Sequence, residues 1–220
     1  MSAAVLFDLD ETLLDRASSL KAFLAEQHRR FAGRLGLADM ETWRSRFLAL
    51  DKGGHVHKSI VYAALLAEFS GDPEAGGDLL EDYRHGSSKY VCGFPGMAQT
   101  LTALRESGLK LGIVSNGETS FQRRNIEALG LEPLVDAVLI SEAEGLRKPD
   151  AAMFRRAAER LHVSPEQCLF VGDNPEADIL GAHRAGMKTA WFNAGAPWPE
   201  SLAPSPGVEI GELAQTLALV

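Results

Sequence analysis

Residues 4–13 read AVLFDLDETL, a short apolar run that stops at two aspartates, Asp8 and Asp10. A continuous apolar segment of this length, bounded by polar residues, reads as a short strand covered on both faces. Side chains alternate along a strand, so Asp8 and Asp10 diverge from the intervening Leu9. A lone aspartate at a strand end usually caps the helix that follows. The pair therefore needs support from the rest of the chain before it reads as chemistry.

That support lies in the order of elements. From Ser18 to Tyr90 no segment reads as a strand, whereas apolar residues fall on successive helical faces. Leu20, Phe23, Leu24, Phe31 and Leu35 form the first face, and Met40, Trp43, Phe47 and Leu50 the second. Val56, Ile60, Ala64 and Leu65 make a third, and a weaker helix surrounds Leu79, Leu80 and Tyr83. Gly53-Gly54 and the glycines from Gly71 to Gly77 separate them. Beyond Phe94-Pro95-Gly96, strands and helices alternate. After Ala3–Phe7, the expected strands are LKLGIVS (109–115), AVLI (137–140), CLFVG (168–172) and KTAWFN (188–193). Helices are expected at Met97 to Leu104, Thr119 to Leu129, Asp150 to Leu161 and Pro175 to Ala185, with a short capped turn at Ser164–Gln167. A proline-rich tail (196–207) precedes a closing helix from Ile210 to Leu219.

Alternation of this kind builds a parallel sheet with right-handed crossovers. The expected architecture is an α/β Rossmann-like core formed by residues 1–15 and 92–220. An all-helical domain, residues 16–91, is inserted after the first strand.

The chain's 220 residues are enough to bury a core without disulfides. A formal charge of −8 disfavours nucleic acid and anionic membrane as partners. No apolar run reaches membrane-spanning length, and Asp8 interrupts the N-terminal one, which is not a signal peptide. Cys92 and Cys168 read as free thiols, consistent with a cytoplasmic protein, monomer or homodimer.

Open parallel sheets bind ligands beyond the carboxyl ends of their strands. The polar residues sit there. The first strand ends in Asp8 and Asp10, with Thr12 just beyond; LKLGIV ends in Ser115-Asn116-Gly117. CLFVG ends in Asp173 with Asp178 five residues on, and the loop after AVLI ends in Lys148-Pro149-Asp150. Four aspartates converging without His or Cys suit a hard cation such as Mg²⁺. One lysine and one serine hydroxyl complete an anion site, and the chemistry indicated is phosphoryl transfer.

DLDET (8–12), SNG (115–117), KPD (148–150) and GDNPEAD (172–178) together resemble the four ordered motifs of the haloacid dehalogenase-like hydrolases. The resemblance spans the whole chain, with 16–91 as the family's helical cap. It implies that Asp8 is the nucleophile and Asp10 the general acid and base. It implies that Mg²⁺ is held by the Asp8 carboxylate, the Asp10 carbonyl and Asp173, with Asp178 and Thr12 behind them. Ser115 and the Asn116 amide would hold phosphoryl oxygens, and Lys148 would neutralise charge. The implied activity is hydrolysis of a small phosphomonoester.

Related readings differ in particular residues. A 2-haloacid dehalogenase lacks an aspartate at the position of Asp10 and needs no metal; a phosphonate hydrolase needs a cap lysine, for which Lys52 and Lys58 are the candidates. A sugar phosphomutase shares the whole core site. A phospho-acceptor signalling module needs neither Asp10 nor a cap. The loop 51–58, with Lys52, His55, His57 and Lys58, is expected to contact an anionic leaving group.

Overall fold

Strand β1 (Ala4–Phe7) is buried at every residue and lies between two parallel neighbours, β2 (Lys110–Ser115) and β4 (Cys168–Gly172). Being covered on both faces, it carries no polar residue until it ends. With β3 (Ala137–Ile140), β5 (Lys188–Phe192) and β6 (Val208–Ile210) it forms a six-stranded, all-parallel sheet in the order β3-β2-β1-β4-β5-β6. The computed structural model describes residues 2–36, 38–193, 197–202 and 207–220.

The chain divides into two compact units. One comprises Met1–Arg16 with Cys92–Val220, and the other Ala17–Val91. In the first, alternate residues of β1 and β4 face the helix Ala151–Arg160: Ala4, Leu6, Cys168 and Phe170 join Met153, Phe154, Ala157 and Ala158 in one core. Phe154 and Phe170 meet edge to face, with ring centroids 4.9 Å apart. Asp150 caps that helix, accepting from the Ala152 N–H at 2.9 Å.

Two details of this unit depart from the sequence expectation. A sixth strand, β6, replaces the start of the closing helix, which is reduced to a 3₁₀ turn at Leu213–Ala218. Val208 and Glu209 are exposed, so this edge strand is defined by its pairing with β5 and not by its own apolar pattern. The segment 175–185 is a π-helical turn, Pro175–Leu180, followed by one α-turn, Gly181–Arg184. Much of the proline-rich tail lies outside the described residues; within it, Trp198 packs edge-on against Trp191 at 5.1 Å.

The second unit contains the helices Arg16–Phe31, Met40–Asp51, Lys58–Glu68 and Ala75–Gly86 around Phe23, Leu24, Trp43, Phe47, Tyr62 and Leu65. Its third helix turns a different face inward from the one expected. Val61, Tyr62, Leu65 and Leu66 are buried, while Ile60 is 62% exposed. The buried face begins at Lys58, a charged residue that hides the i, i+3, i+4, i+7 pattern. Lys58 Nζ pairs with the Asp51 carboxylate, which is itself buried, and sits 5.4 Å from the Tyr83 ring centroid. The expectation that Lys58 contacts a substrate is therefore corrected: its ammonium is committed to Asp51. His57 accepts from the Ser59 N–H and caps the helix, and Lys52 is exposed. No helix among the described residues is long and apolar enough to cross a membrane.

A buried pair broken on one side leaves the other charge uncompensated. Lys58→Met is expected to lower unfolding free energy by about 3 kcal/mol in urea titrations, and adding Asp51→Asn to recover much of that loss.

Candidate active site

The sheet order places the site. The chain runs β1, β2, β3 outward in one direction and then crosses to β4 on the other side of β1, so the order reverses between β1 and β4. Register pairs Phe7 with both Ile113 and Val171, which brings the residues just past these strands to one edge. The Asp8 N–H still donates to the Val171 carbonyl at 2.9 Å, so Asp8 leaves the sheet opposite Gly172 and beside Asp173. The turn beyond it is tight: Leu14 donates to the Leu9 carbonyl and accepts from the Glu11 N–H, both at 2.8 Å. Glu11 adopts a left-handed φ of 57°, which turns the chain directly after Asp10.

Lys148 is the hub. Its Nζ lies 2.5 Å from Asp8 Oδ1 and 2.6 Å from Asp178 Oδ1, and the residue is only 4% exposed. Burial opposes charge on this lysine, but the carboxylates of Asp178 and Asp8 outweigh it and hold its pKa above the ordinary value. The Lys148 main chain is clamped from both sides by one side chain: Asn116 Nδ2 donates to its carbonyl at 3.0 Å, and its N–H donates to Asn116 Oδ1 at 2.9 Å. The Asn116 side chain thus positions the lysine, and the Asn116 donor facing a ligand would be its main-chain N–H.

Asp178 is fully buried, and its second oxygen accepts from the Asn174 N–H at 3.0 Å. Gly172 makes room for it, since a Cβ there would come within 2.5 Å of Asp178 Oδ2. Oxygens of Asp8, Asp173 and Asp178 lie within 4.8 Å of one another. One ammonium among three carboxylates leaves the cluster short of positive charge. Burial, then the neighbouring Asp8 and Asp178, push the Asp173 carboxyl up to about 8. Burial and Asp8 likewise raise Asp178 to about 6, against the opposing pull of Lys148. Asp8 is raised by burial and pulled back by Lys148. A set of hard oxygen donors with excess negative charge fits a divalent cation. Behind Asp173, the Trp191 indole N–H donates to its main-chain carbonyl at 2.7 Å.

Ser115, at the end of β2, is buried, as is Thr12, whose hydroxyl has no hydrogen-bond partner among the described residues. Sequence reasoning missed two residues here. Gln122 and Asn125 lie on the helix Thr119–Ala128, both buried. Gln122 Nε2 lies 2.5 Å from Asp10 Oδ2 and 3.1 Å from Ser115 Oγ, and its Oε1 accepts from Asn125 Nδ2 at 3.1 Å. The available signal was two amides three residues apart on the helix that follows Ser115-Asn116-Gly117.

A model of the haloacid dehalogenase-like hydrolases matches residues 3–186. The chain belongs to this family of enzymes. It is 35% identical to a glyceraldehyde 3-phosphate phosphatase of Methanopyrus kandleri, over 89% of this chain and 85% of the other. In fold the hydrolase resembles YfnB of Bacillus subtilis, a HAD-hydrolase solved with bound magnesium, at TM-score 0.82 and 24% identity, covering 99% and 98% of the two chains. It is also similar to a 2-haloacid dehalogenase of Pseudomonas syringae pv. Tomato, at TM-score 0.67 and 29% identity, covering 100% and 98%. The six parallel strands and the helical insertion between β1 and β2 are thus those of a HAD-like hydrolase.

The raised carboxyls have a consequence for stability. A folded-state pKa of about 8 against an ordinary 3.8 means that folded Asp173 holds a proton the unfolded chain releases. Stability is then greatest below the lower value and is lost as pH rises through the upper one. In EDTA, the melting temperature is expected to fall between pH 5 and pH 8. Asp173→Asn should flatten that decline, as followed by scanning calorimetry.

Proposed function

We propose that this HAD-like hydrolase is a Mg²⁺-dependent phosphatase that cleaves a small phosphomonoester through an aspartyl-phosphate on Asp8. The observation that carries the reading is the buried Asp8–Lys148–Asp178 array beside Asp173, at a strand edge where Ser115 and Asp10 also converge. On this reading, residues 1–15 with 92–220 form the catalytic core and 16–91 the cap. The M. kandleri relative, a glyceraldehyde 3-phosphate phosphatase, makes that triose phosphate a first compound to assay.

Asp8, Asp173 and the main-chain carbonyl of Asp10 would hold the cation, which when bound adds positive charge opposite the phosphoryl oxygens. Asp178 stands behind them, because one of its oxygens serves Lys148 and the other Asn174. The protein's own groups perform the transfer. Lys148 keeps Asp8 ionised in a site whose burial disfavours the anion. The Asp8 carboxylate attacks phosphorus; as the O–P bond forms, the ester P–O bond breaks and the leaving alkoxide takes a proton from Asp10. Ser115 Oγ–H and the Asn116 main-chain N–H hold phosphoryl oxygens in line, and Lys148 offsets the charge that gathers on them. Asp10, now anionic, takes a proton from water, whose oxygen attacks phosphorus and releases phosphate while restoring both aspartates.

The likeness to a 2-haloacid dehalogenase supports a second reading, in which Asp8 attacks carbon and no cation is needed. Asp10 and the Asp173/Asp178 pair favour the phosphatase. Release of halide from a 2-haloacid in EDTA would put the dehalogenase in its place.

Two outcomes test the proposal in a phosphate-release assay over a panel of phosphorylated metabolites and para-nitrophenyl phosphate. Asp8→Asn is expected to lose about a thousandfold or more in turnover while remaining folded, because an amide oxygen is too weak a nucleophile. Residual activity within tenfold of the parent would remove Asp8 from that role. EDTA should abolish turnover, with Mg²⁺ restoring it and Ca²⁺ failing to, since the larger ion admits bidentate carboxylate binding that ties up the attacking oxygen.

A further inference from the structure

Gln122 occupies an unusual position for a neutral amide. It is 3% exposed, lies on the helix that follows β2, and crosses to reach a residue 112 positions earlier. Its side chain passes over Gly117, where a Cβ would come within 2.9 Å of Gln122 Cγ and 3.1 Å of Nε2. Any larger residue at 117 would obstruct that path. The amide is anchored at its far end as well. Asn125 Nδ2 donates to Gln122 Oε1 at 3.1 Å, which leaves Nε2, with its two hydrogens, facing Asp10 Oδ2 at 2.5 Å and Ser115 Oγ at 3.1 Å, with the Asn116 carbonyl farther off at 3.4 Å; that carbonyl also lies 3.5 Å from Ser115 Oγ. With Asp10 ionised, the flipped orientation would set Oε1 against a carboxylate, so the anionic state of Asp10 selects the orientation in which Nε2 faces it.

We propose that Gln122 is a positioning residue that selects which oxygen of Asp10 carries the transferable proton and which way the Ser115 hydroxyl points. An amide N–H can only donate. While Nε2 faces it, Asp10 Oδ2 is the accepting oxygen, which favours the transferable proton on Oδ1. The same logic applies to Ser115: one Oγ lone pair accepts from Nε2, so the hydroxyl hydrogen is turned away from Gln122 toward other acceptors, a phosphoryl oxygen among them. Gln122 thereby couples the proton donor for the leaving group to a donor for the phosphoryl group, and Asn125 fixes the amide that does so. The inference rests on the phosphatase reading and adds a residue to it.

The test is a linear free-energy series. kcat/KM is measured for substituted phenyl phosphates spanning a range of leaving-group pKa, on the full-length Mg²⁺-loaded protein. Proton donation matters most for poor leaving groups. A misplaced Asp10 should make log kcat/KM fall more steeply with leaving-group pKa. Gln122→Met, which keeps volume and removes the donor, is expected to lose about tenfold or more on the poorest leaving group and much less on para-nitrophenyl phosphate. Asn125→Leu leaves Gln122 in place but frees its amide to rotate, and should steepen the slope in the same direction by less. It serves in place of the first variant should that one not fold. Parallel lines, with all substrates slowed equally or none slowed, would overturn the role of Gln122 and leave the phosphatase reading intact. A parent protein that turns over none of the series would overturn both.

Discussion

One ammonium group holds the candidate site together. Lys148 sits between the carboxylates of Asp8, at the end of β1, and Asp178, on the π-helical turn that follows the neighbouring β4, and it reaches them from the loop after a third strand. Burying three charged groups is unfavourable unless each finds a partner. The surrounding structure supplies those partners. Asn116, at the end of β2, grips the lysine's main chain on both sides; the Asn174 N–H holds the remaining Asp178 oxygen; and Gly172 offers Asp178 a surface without a side chain. The segments that follow four strands are thus tied through one residue. Were the lysine neutral, two carboxylates in a dry site would face each other with nothing between them.

The lysine also explains why the remaining carboxylate behaves differently. Asp173 lies in the same cluster but outside the direct reach of the ammonium, so burial and its neighbours act on it with little relief. The site is therefore built with a deficit of positive charge located at Asp173. A bound cation would fill it, and the fold carries that deficit as part of its working state. Trp191 holds the main chain of this residue in place from the opposite side.

How legible this was in sequence follows from where each signal comes from. The five longer strands were readable because residues covered on both faces must be apolar, as β1, β4 and the Leu111–Val114 run of β2 are. Their ends were readable for the complementary reason: Asp8, Ser115 and Asp173 are the first polar residues after such runs. β6 was not, because two of its three residues face solvent and its identity lies in pairing with β5. The inward face of the helix Lys58–Glu68 was misread because a buried lysine paired with a buried aspartate looks like a solvated charge until Asp51 is placed beside it. Gln122 and Asn125 were missed because amides carry no pattern that separates a site neighbour from a helix surface; only the meeting of Gln122 with Asp10 and Ser115, and of Asn125 with Gln122, distinguishes them.

The entry and exit of the helical insertion repay attention in a different light. Asp15 donates through its N–H to the Cys92 carbonyl at 3.0 Å, Phe94 N–H donates to the Leu13 carbonyl at 3.0 Å, and Leu14 forms an antiparallel bridge with Gly93. A Cβ at Gly93 would approach the Met97 side chain to 2.7 Å and the Leu13 carbonyl to 3.3 Å, so a larger residue there would require Met97 to shift. The two crossings are therefore sewn together within the sheet-bearing unit, and the 75 residues of Ala17–Val91 hang from a single seam. Such a seam decouples inheritance. Residues beyond it can drift, lengthen or be exchanged without shifting the register of β1 against β2, so the inserted unit can diverge while the sheet edge stays as it was.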